Sequence, residues 1–331
     1  MKVLVLHKPG DLRLEDVDEP TPKGNWVKIR VKRVGICGTD KAFYKGTYMP
    51  QKLPIIPGHE IAGIVNDVGN KELEHLVGEK VTTEINVHCG KCWYCLHGMS
   101  SHCPYRQTIG ISIDGGMAEY VLTRADLIHS IEGLSWEEGA FVEPLAAVIE
   151  MLEMHPLNPS SNVAVVGIGT MGLLSIQLLN LLGSNVVAVA RADSPKRRIA
   201  EKLGAEVMTF EEALDFMKTH TPEGHGFDYV VEATGSPKGL EMALNLVRPR
   251  GVIAAKSTHG SDVSFNYTLM VVKEVKIVGS RCGPFEKAIN LLRKRLINVK
   301  NLVTSIYKLE KGIEAFEKSF ERDQIKVHLI P

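Results

Sequence analysis

The 331-residue sequence predicts a two-domain α/β protein, a β-rich lobe followed by a doubly wound parallel sheet. Three observations carry that reading. The first 125 residues break into short strands separated by Gly, Pro and charged turns. From Ala140 onward, apolar strands alternate with helical periods, which is the pattern of a parallel sheet. A glycine-rich turn then joins one such strand to an apolar helix, between residues 163 and 182.

Taken in order, the strands expected in the first part are 27–34, 61–68, 79–83 and 117–122, together a partly closed barrel. There follow a helix at 146–154, a strand at 162–166, a helix at 171–182, a strand at 185–190 and a helix at 195–203. Strands at 227–232, 251–255 and 275–279 come next, with a helix at 238–247 between the first two. After Pro284 the pattern reads helix 285–294, strand 305–308, helix 312–320 and strand 325–329.

Composition narrows the function classes. The chain is 44% hydrophobic and 24% charged, ordinary for a globular protein and too long for a single core. No apolar run reaches membrane-spanning length, because 173–182 is interrupted by Ser175, Gln177 and Asn180. Thirty-nine basic and thirty-nine acidic residues leave a formal net charge of zero, which gives no bulk attraction for nucleic acid. The sequence opens directly on an alternating strand with nothing resembling a cleavable leader, so a cytoplasmic location is expected.

Four of the six cysteines, Cys89, Cys92, Cys95 and Cys103, fall within fifteen residues. Two-residue gaps let backbone amides point at the sulfurs, and the seven-residue gap closes a loop around one tetrahedral ion. Gly90 and Gly98 supply the turns. Zinc is the expected metal. With every position taken by protein, such a site staples a lobe and performs no chemistry. Disulfide pairing or a redox cluster is the competing account, and a reducing compartment disfavours it.

The segment after strand 163–166 carries Gly167, Gly169 and Gly172 in a GxGxxG pattern, with Thr170 and Met171 between the second and third glycines. The first glycine makes a tight turn, the second admits a pyrophosphate close to the backbone, and the third lets the helix pack on the sheet. The helix N-terminus then offers N–H groups to phosphates. In an NAD site an acidic residue stands about 20 positions further on. Here Arg191 takes that place, with Lys196, Arg197 and Arg198 on the next turn. An arginine can stack on adenine and meet a 2′-phosphate, so NADP is the preferred cofactor. Asp193 keeps NAD open: a strand two residues longer would make it the ribose ligand.

Cys37 lies in GICGTD, His59 in PGHE and Glu143 in VEPL. One thiolate, one imidazole and a carboxylate are what an open catalytic zinc needs. At this point the sequence resembles the zinc-dependent medium-chain alcohol and polyol dehydrogenases. The resemblance runs over essentially the whole length, through GICGTD, GHE, CGxCxxC, DGGMAEY, EP and GxGxxG in that order.

The resemblance implies specific roles. Cys37 and His59 match two catalytic zinc ligands, Glu143 the third ligand of the polyol branch, and Glu60 a neighbouring carboxylate that swings onto the metal. Asp40 matches the carboxylate that orients the histidine. Thr39 matches the hydroxyl that accepts the substrate proton, and the four clustered cysteines match the structural zinc lobe. Thr234 and Lys326 join the cofactor contacts, Lys326 near the pyrophosphate.

The implied architecture is a GroES-like β-barrel catalytic domain at 1–146, a Rossmann domain at 147–284, and a C-terminal segment at 285–331 returning to the catalytic domain, with the active site in the cleft. The implied activity is hydride transfer between an alcohol (sugar, polyol or secondary alcohol) and NADP, with two zinc ions per subunit in a homodimer or homotetramer. The alternatives are an NAD-linked enzyme of the same kind, or a non-catalytic or quinone-reductase-like relative, which would have no use for Cys37, His59 and Glu143 together. One position departs from the pattern. Where many relatives carry a proton-relaying histidine, this chain has Ala42, which leaves Lys41, Tyr44 or water for that task.

Overall fold

The computed structural model describes all residues 1–331. Its contacts divide the chain into two units, one of Met1–Glu143, Phe285–Arg293 and Val299–Pro331, the other of Pro144–Pro284 and Lys294–Asn298.

The first unit is built on a seven-stranded sheet. Its path runs Val303–Lys308, Lys326–Ile330, Trp26–Gly35, Glu60–Val68, Lys80–Thr83 and Ile128–Ser130, and Tyr120–Arg124 pairs with the Trp26–Gly35 strand off that path. All pairings are antiparallel except that of the first two strands. Alternating apolar residues such as Val27, Ile29 and Val31 face a core with Ile61, Val65, Val121, Phe316 and Leu329. This is the expected barrel-like lobe, and one strand sits lower than expected. Residues 117–119 instead cross to the N-terminal strand Lys2–Lys8, where Leu4 N–H donates to the Met117 carbonyl, and regular pairing begins at Tyr120.

Two features of this sheet position the site. The Trp26–Gly35 strand ends at Cys37, which caps the helix Gly38–Lys45. Across the sheet Gly35 pairs with Glu60 on one side and with His328 on the other, which sets those two residues on one face.

The second unit holds six parallel strands in the order Glu206–Met208, Asn185–Val189, Asn162–Val166, Phe227–Glu232, Val247–Ala255 and Lys276–Gly279. That is the 3-2-1-4-5-6 doubly wound order, with the reversal between the third and fourth of these strands. Val187, Val189, Val230, Ile253, Ala243 and Leu246 fill one side of it. The chain re-enters this unit at Lys294–Asn298, where Asn298 N–H donates to Gln177 Oε1 at 2.8 Å. No helix is long and apolar enough to cross a membrane.

Candidate functional site

In the first unit, Cys37 is half-buried at the N-terminus of the helix Gly38–Lys45, and Asp40 sits in that helix's first turn. The Asp40 carboxylate accepts from Cys37 N–H at 2.8 Å and from Gly58 N–H at 3.3 Å, which ties the helix start to the loop before His59. Asp40 Oδ1 is 3.7 Å from His59 Nδ1, too long for a hydrogen bond. Nδ1 has no hydrogen-bond partner although His59 is only 3% exposed. Thr39 is half-buried beside them.

The charges around His59 are those of a cation site. Burial opposes a charge on its imidazole, yet the adjacent Cys37 sulfur and Asp40, with a contribution from Glu143, raise its pKa well above the ordinary value. Burial pushes Asp40 up, although His59 pulls it down. Glu143, 8% exposed, opens the helix Val142–Met154 and acts on both His59 and Lys326. Thiol, imidazole and carboxylate are the donor types an open zinc centre uses, and Cys37 and Glu143 both act on the charge of His59.

Glu60 is paired with a buried cation. It is 1% exposed, and both carboxylate oxygens accept from Lys326 Nζ, at 2.6 and 2.7 Å. An added Cβ on Gly35 would stand 2.0 Å from Glu60 Oε2, so the carboxylate crosses the sheet over a residue that must lack a side chain. Lys326 also donates to the Ile36 carbonyl at 3.3 Å. The ammonium of Lys326, the residue expected near the pyrophosphate, is 4% exposed and donates to Glu60 and Ile36. Sequence reasoning missed this pair because it forms between strands 266 residues apart.

The residues considered in place of the relaying histidine face elsewhere. Lys41 Nζ donates to the Ser319 carbonyl at 3.1 Å, and the Tyr44 ring packs on Phe316 and Phe320.

The clustered cysteines form a cage. Sulfur separations are 3.5 Å for Cys92–Cys95, 3.7 Å for Cys92–Cys103 and 4.0 Å for Cys89–Cys95, and all four sulfurs lie within 4.8 Å of one another. A tetrahedron with 2.3 Å arms has edges of about 3.8 Å, so the cage fits zinc. Backbone N–H groups of Lys91 and Cys92 hold the Cys89 thiol down to about 6, whereas desolvation pushes Cys95 up to about 11.

In the second unit, Gly169 caps the helix Thr170–Leu181, with Thr170 and Met171 in its first turn. Nothing lies within 4 Å of an added Cβ at Gly169, which leaves the room a pyrophosphate requires. At Gly172 a Cβ would come 1.9 Å from the Gly167 carbonyl oxygen, so only glycine lets the helix seat on the turn. Cofactor and turn fit. The Asn185–Val189 strand stops two residues before Arg191, which is exposed. Lys196 caps the helix Arg197–Lys202, and Arg197 is turned inward, donating to the Val207 carbonyl at 2.8 Å.

Two family models match this chain, the alcohol dehydrogenase GroES-like domain over residues 23–133 and the zinc-binding dehydrogenase over residues 170–294. A sorbitol dehydrogenase of Halalkalibacterium halodurans is 31% identical over 100% of this chain and 99% of its own length. D-arabinitol dehydrogenase 1 of Uromyces fabae is 31% identical over 100% and 97%. Among solved structures, a protein of Sinorhizobium meliloti assigned as a zinc-binding dehydrogenase, bound to NADP, superposes with a TM-score of 0.89 at 28% identity, covering 100% of this chain and 99% of that one. Galactitol-1-phosphate dehydrogenase from Escherichia coli gives 0.89 at 26% identity, covering 100% of both. The chain belongs to the zinc-dependent medium-chain alcohol and polyol dehydrogenases, oxidoreductases that combine zinc with a nicotinamide cofactor.

Proposed function

We propose that this enzyme oxidises a sugar, polyol or secondary alcohol reversibly with NADP, at a catalytic zinc held by Cys37, His59 and Glu143, and that a second zinc sits among Cys89, Cys92, Cys95 and Cys103. The observation that carries the first part is the buried His59 imidazole, whose Nδ1 has no partner and stands 3.7 Å from the Asp40 carboxylate. The chemistry supplied by the bound groups is Lewis acidity toward the substrate oxygen and hydride acceptance at nicotinamide. Asp40 fixes the His59 tautomer by accepting from Nδ1–H once the ring is drawn into place. The Thr39 hydroxyl stands in the first turn of the same helix and takes the alcohol proton. Lys326 keeps Glu60 in reserve beside the ligands until its carboxylate is needed.

Arg191 and Lys196 support NADP over NAD, because an exposed guanidinium just past the second strand suits a 2′-phosphate and repels nothing in it. Relatives named for sorbitol, arabinitol and galactitol-1-phosphate support a polyhydroxylated substrate. The reading includes a homodimer or homotetramer, supported by the edge strand Lys276–Gly279 and the neighbouring exposed Val271 and Val272. It places the enzyme in the cytoplasm, where thiols set for metal stay reduced.

The test combines metal analysis with a panel of alcohols and sugars against both cofactors, followed by absorbance of the reduced nicotinamide. Two zinc ions per chain and a preference for NADP are expected. Arg191→Ala should raise KM for NADP at least tenfold more than KM for NAD. A tenfold preference of the unaltered enzyme for NAD would overturn the role given to Arg191, and full activity in Cys37→Ser would remove the zinc assignment.

A further inference from the structure

At the carboxyl end of the Phe227–Glu232 strand, Glu232 is 4% exposed and its Oε1 gathers three donors. These are Thr234 N–H at 2.9 Å, Thr234 Oγ1 at 2.6 Å and Ser257 Oγ at 2.8 Å. Ser257 Oγ in turn accepts from Gly235 N–H at 2.8 Å, and Thr234 Oγ1 accepts from Ser236 N–H at 3.0 Å. Ala233 N–H donates to the Val166 carbonyl at 2.9 Å. Four successive amides, from Ala233 to Ser236, are therefore turned inward and used. The single hydroxyl proton of Thr234 is used as well.

What the loop has left is acceptors. Of its carbonyls, that of Ala233 faces the glycine turn, where a Cβ on Gly167 would meet it at 2.6 Å. The carbonyls of Thr234 and Gly235 receive no donor from the protein. The loop lies where the strand order reverses, beside Gly167, on the half of the sheet that faces the nicotinamide mononucleotide in a doubly wound dinucleotide site. A pyrophosphate, which offers only acceptors, gains nothing from such a surface. Ribose hydroxyls and a carboxamide amino group are the donors a dinucleotide brings there.

We propose that Glu232 is a positioning residue that sets this loop as a row of carbonyl acceptors for the nicotinamide half of the cofactor, so that Thr234 contributes its backbone oxygen and not its hydroxyl. This inference rests on the cofactor reading above and names groups that reading left open. It also explains why a carboxylate stands buried at this strand end without any basic partner: three neutral donors satisfy one of its oxygens.

The test uses the intact enzyme and measures dissociation constants by nicotinamide fluorescence and calorimetry for NADPH, NADH and the nicotinamide-free fragments adenosine 2′,5′-bisphosphate and ADP. Glu232→Leu should weaken NADPH at least tenfold while fragment binding stays within twofold. Glu232→Gln keeps an acceptor oxygen and should stay within threefold for every ligand. Ser257→Ala removes one of the three donors and frees Gly235 N–H, and about a threefold loss for NADPH alone is expected, which keeps the test decisive if Glu232→Leu does not fold. Unchanged NADPH affinity in a folded Glu232→Leu or in Ser257→Ala would overturn the inference, as would equal losses for NADPH and the fragments. An unaltered enzyme that binds neither NADPH nor NADH would refute the cofactor reading itself.

Discussion

Replacing Lys326 by Met would strand a carboxylate that has nowhere to go. Glu60 is 1% exposed and its two oxygens lie 2.6 and 2.7 Å from the Lys326 ammonium. At an effective permittivity of about 20, unit charges at such a distance attract by about 6 kcal/mol, and the cost of burying both offsets much of this. Removing one partner is a different matter, because the remaining buried charge keeps its desolvation cost and loses its compensation, at about 3–5 kcal/mol. Lys326→Met should therefore lose about 3–5 kcal/mol in urea unfolding followed by tryptophan fluorescence. Glu60→Gln with Lys326→Met should recover most of it, since no lone ion is then buried. The measurable quantity is the coupling between the two sites, expected to exceed about 2 kcal/mol for groups in direct contact. Additive losses in the double variant would mean that the pair does not exist in the fold, and the account of Glu60 as a carboxylate in reserve would go with it.

Three further outcomes follow from the same geometry. In protein stripped of zinc at neutral pH, iodoacetamide should alkylate Cys89 before Cys95, because their thiols are set to about 6 and about 11; peptide mass spectrometry reads the order, and a reversed order contradicts the assigned amide contacts. Burial, with Lys326 and Arg33 nearby, holds His328 well below the usual imidazole range, and neither ring nitrogen has a partner. Since its folded pKa lies below the unfolded one, the unfolded chain binds the extra proton, and this contribution is intact above about pH 6.5 and declines as pH falls from there, by up to about 1.4 kcal/mol per unit. His328→Leu should flatten the loss of stability between pH 6.5 and 5 by about 2 kcal/mol; parallel curves for the two proteins would show that His328 takes up its proton in the fold as readily as in the unfolded chain. Gly172→Ala, whose methyl would sit 1.9 Å from the Gly167 oxygen, should cost about 1–3 kcal/mol and weaken NADPH binding at least tenfold in a fluorescence titration; wild-type affinity would contradict the seating of that helix.

The readings that came directly from the sequence were those in which neighbours along the chain are neighbours in space. The cysteine cage closes within fifteen residues, and GxGxxG joins a strand to the helix that follows it. The helix Phe210–His220 was equally local and still went unread. Thr209 and Glu212 form a reciprocal capping box at its start, a T-x-x-E signal visible in the sequence. Other features required the folded sheet. Glu60, Gly35 and His328 line up only because their three strands pair side by side, and no period or spacing links residues 60 and 328. The burial of Arg33, beneath the helix Trp136–Ala140 and paired with Glu137, is of the same kind.

The strand Lys326–Ile330 lies between Val303–Lys308 and Trp26–Gly35, so the sheet that carries Cys37 remains split until it arrives. During translation the whole second unit is synthesised before Lys326 is made. Until then Glu60 has no counterion and the nascent lobe has an open seam. A chain lacking that strand would leave the Glu60 carboxylate without its cation, next in sequence to His59.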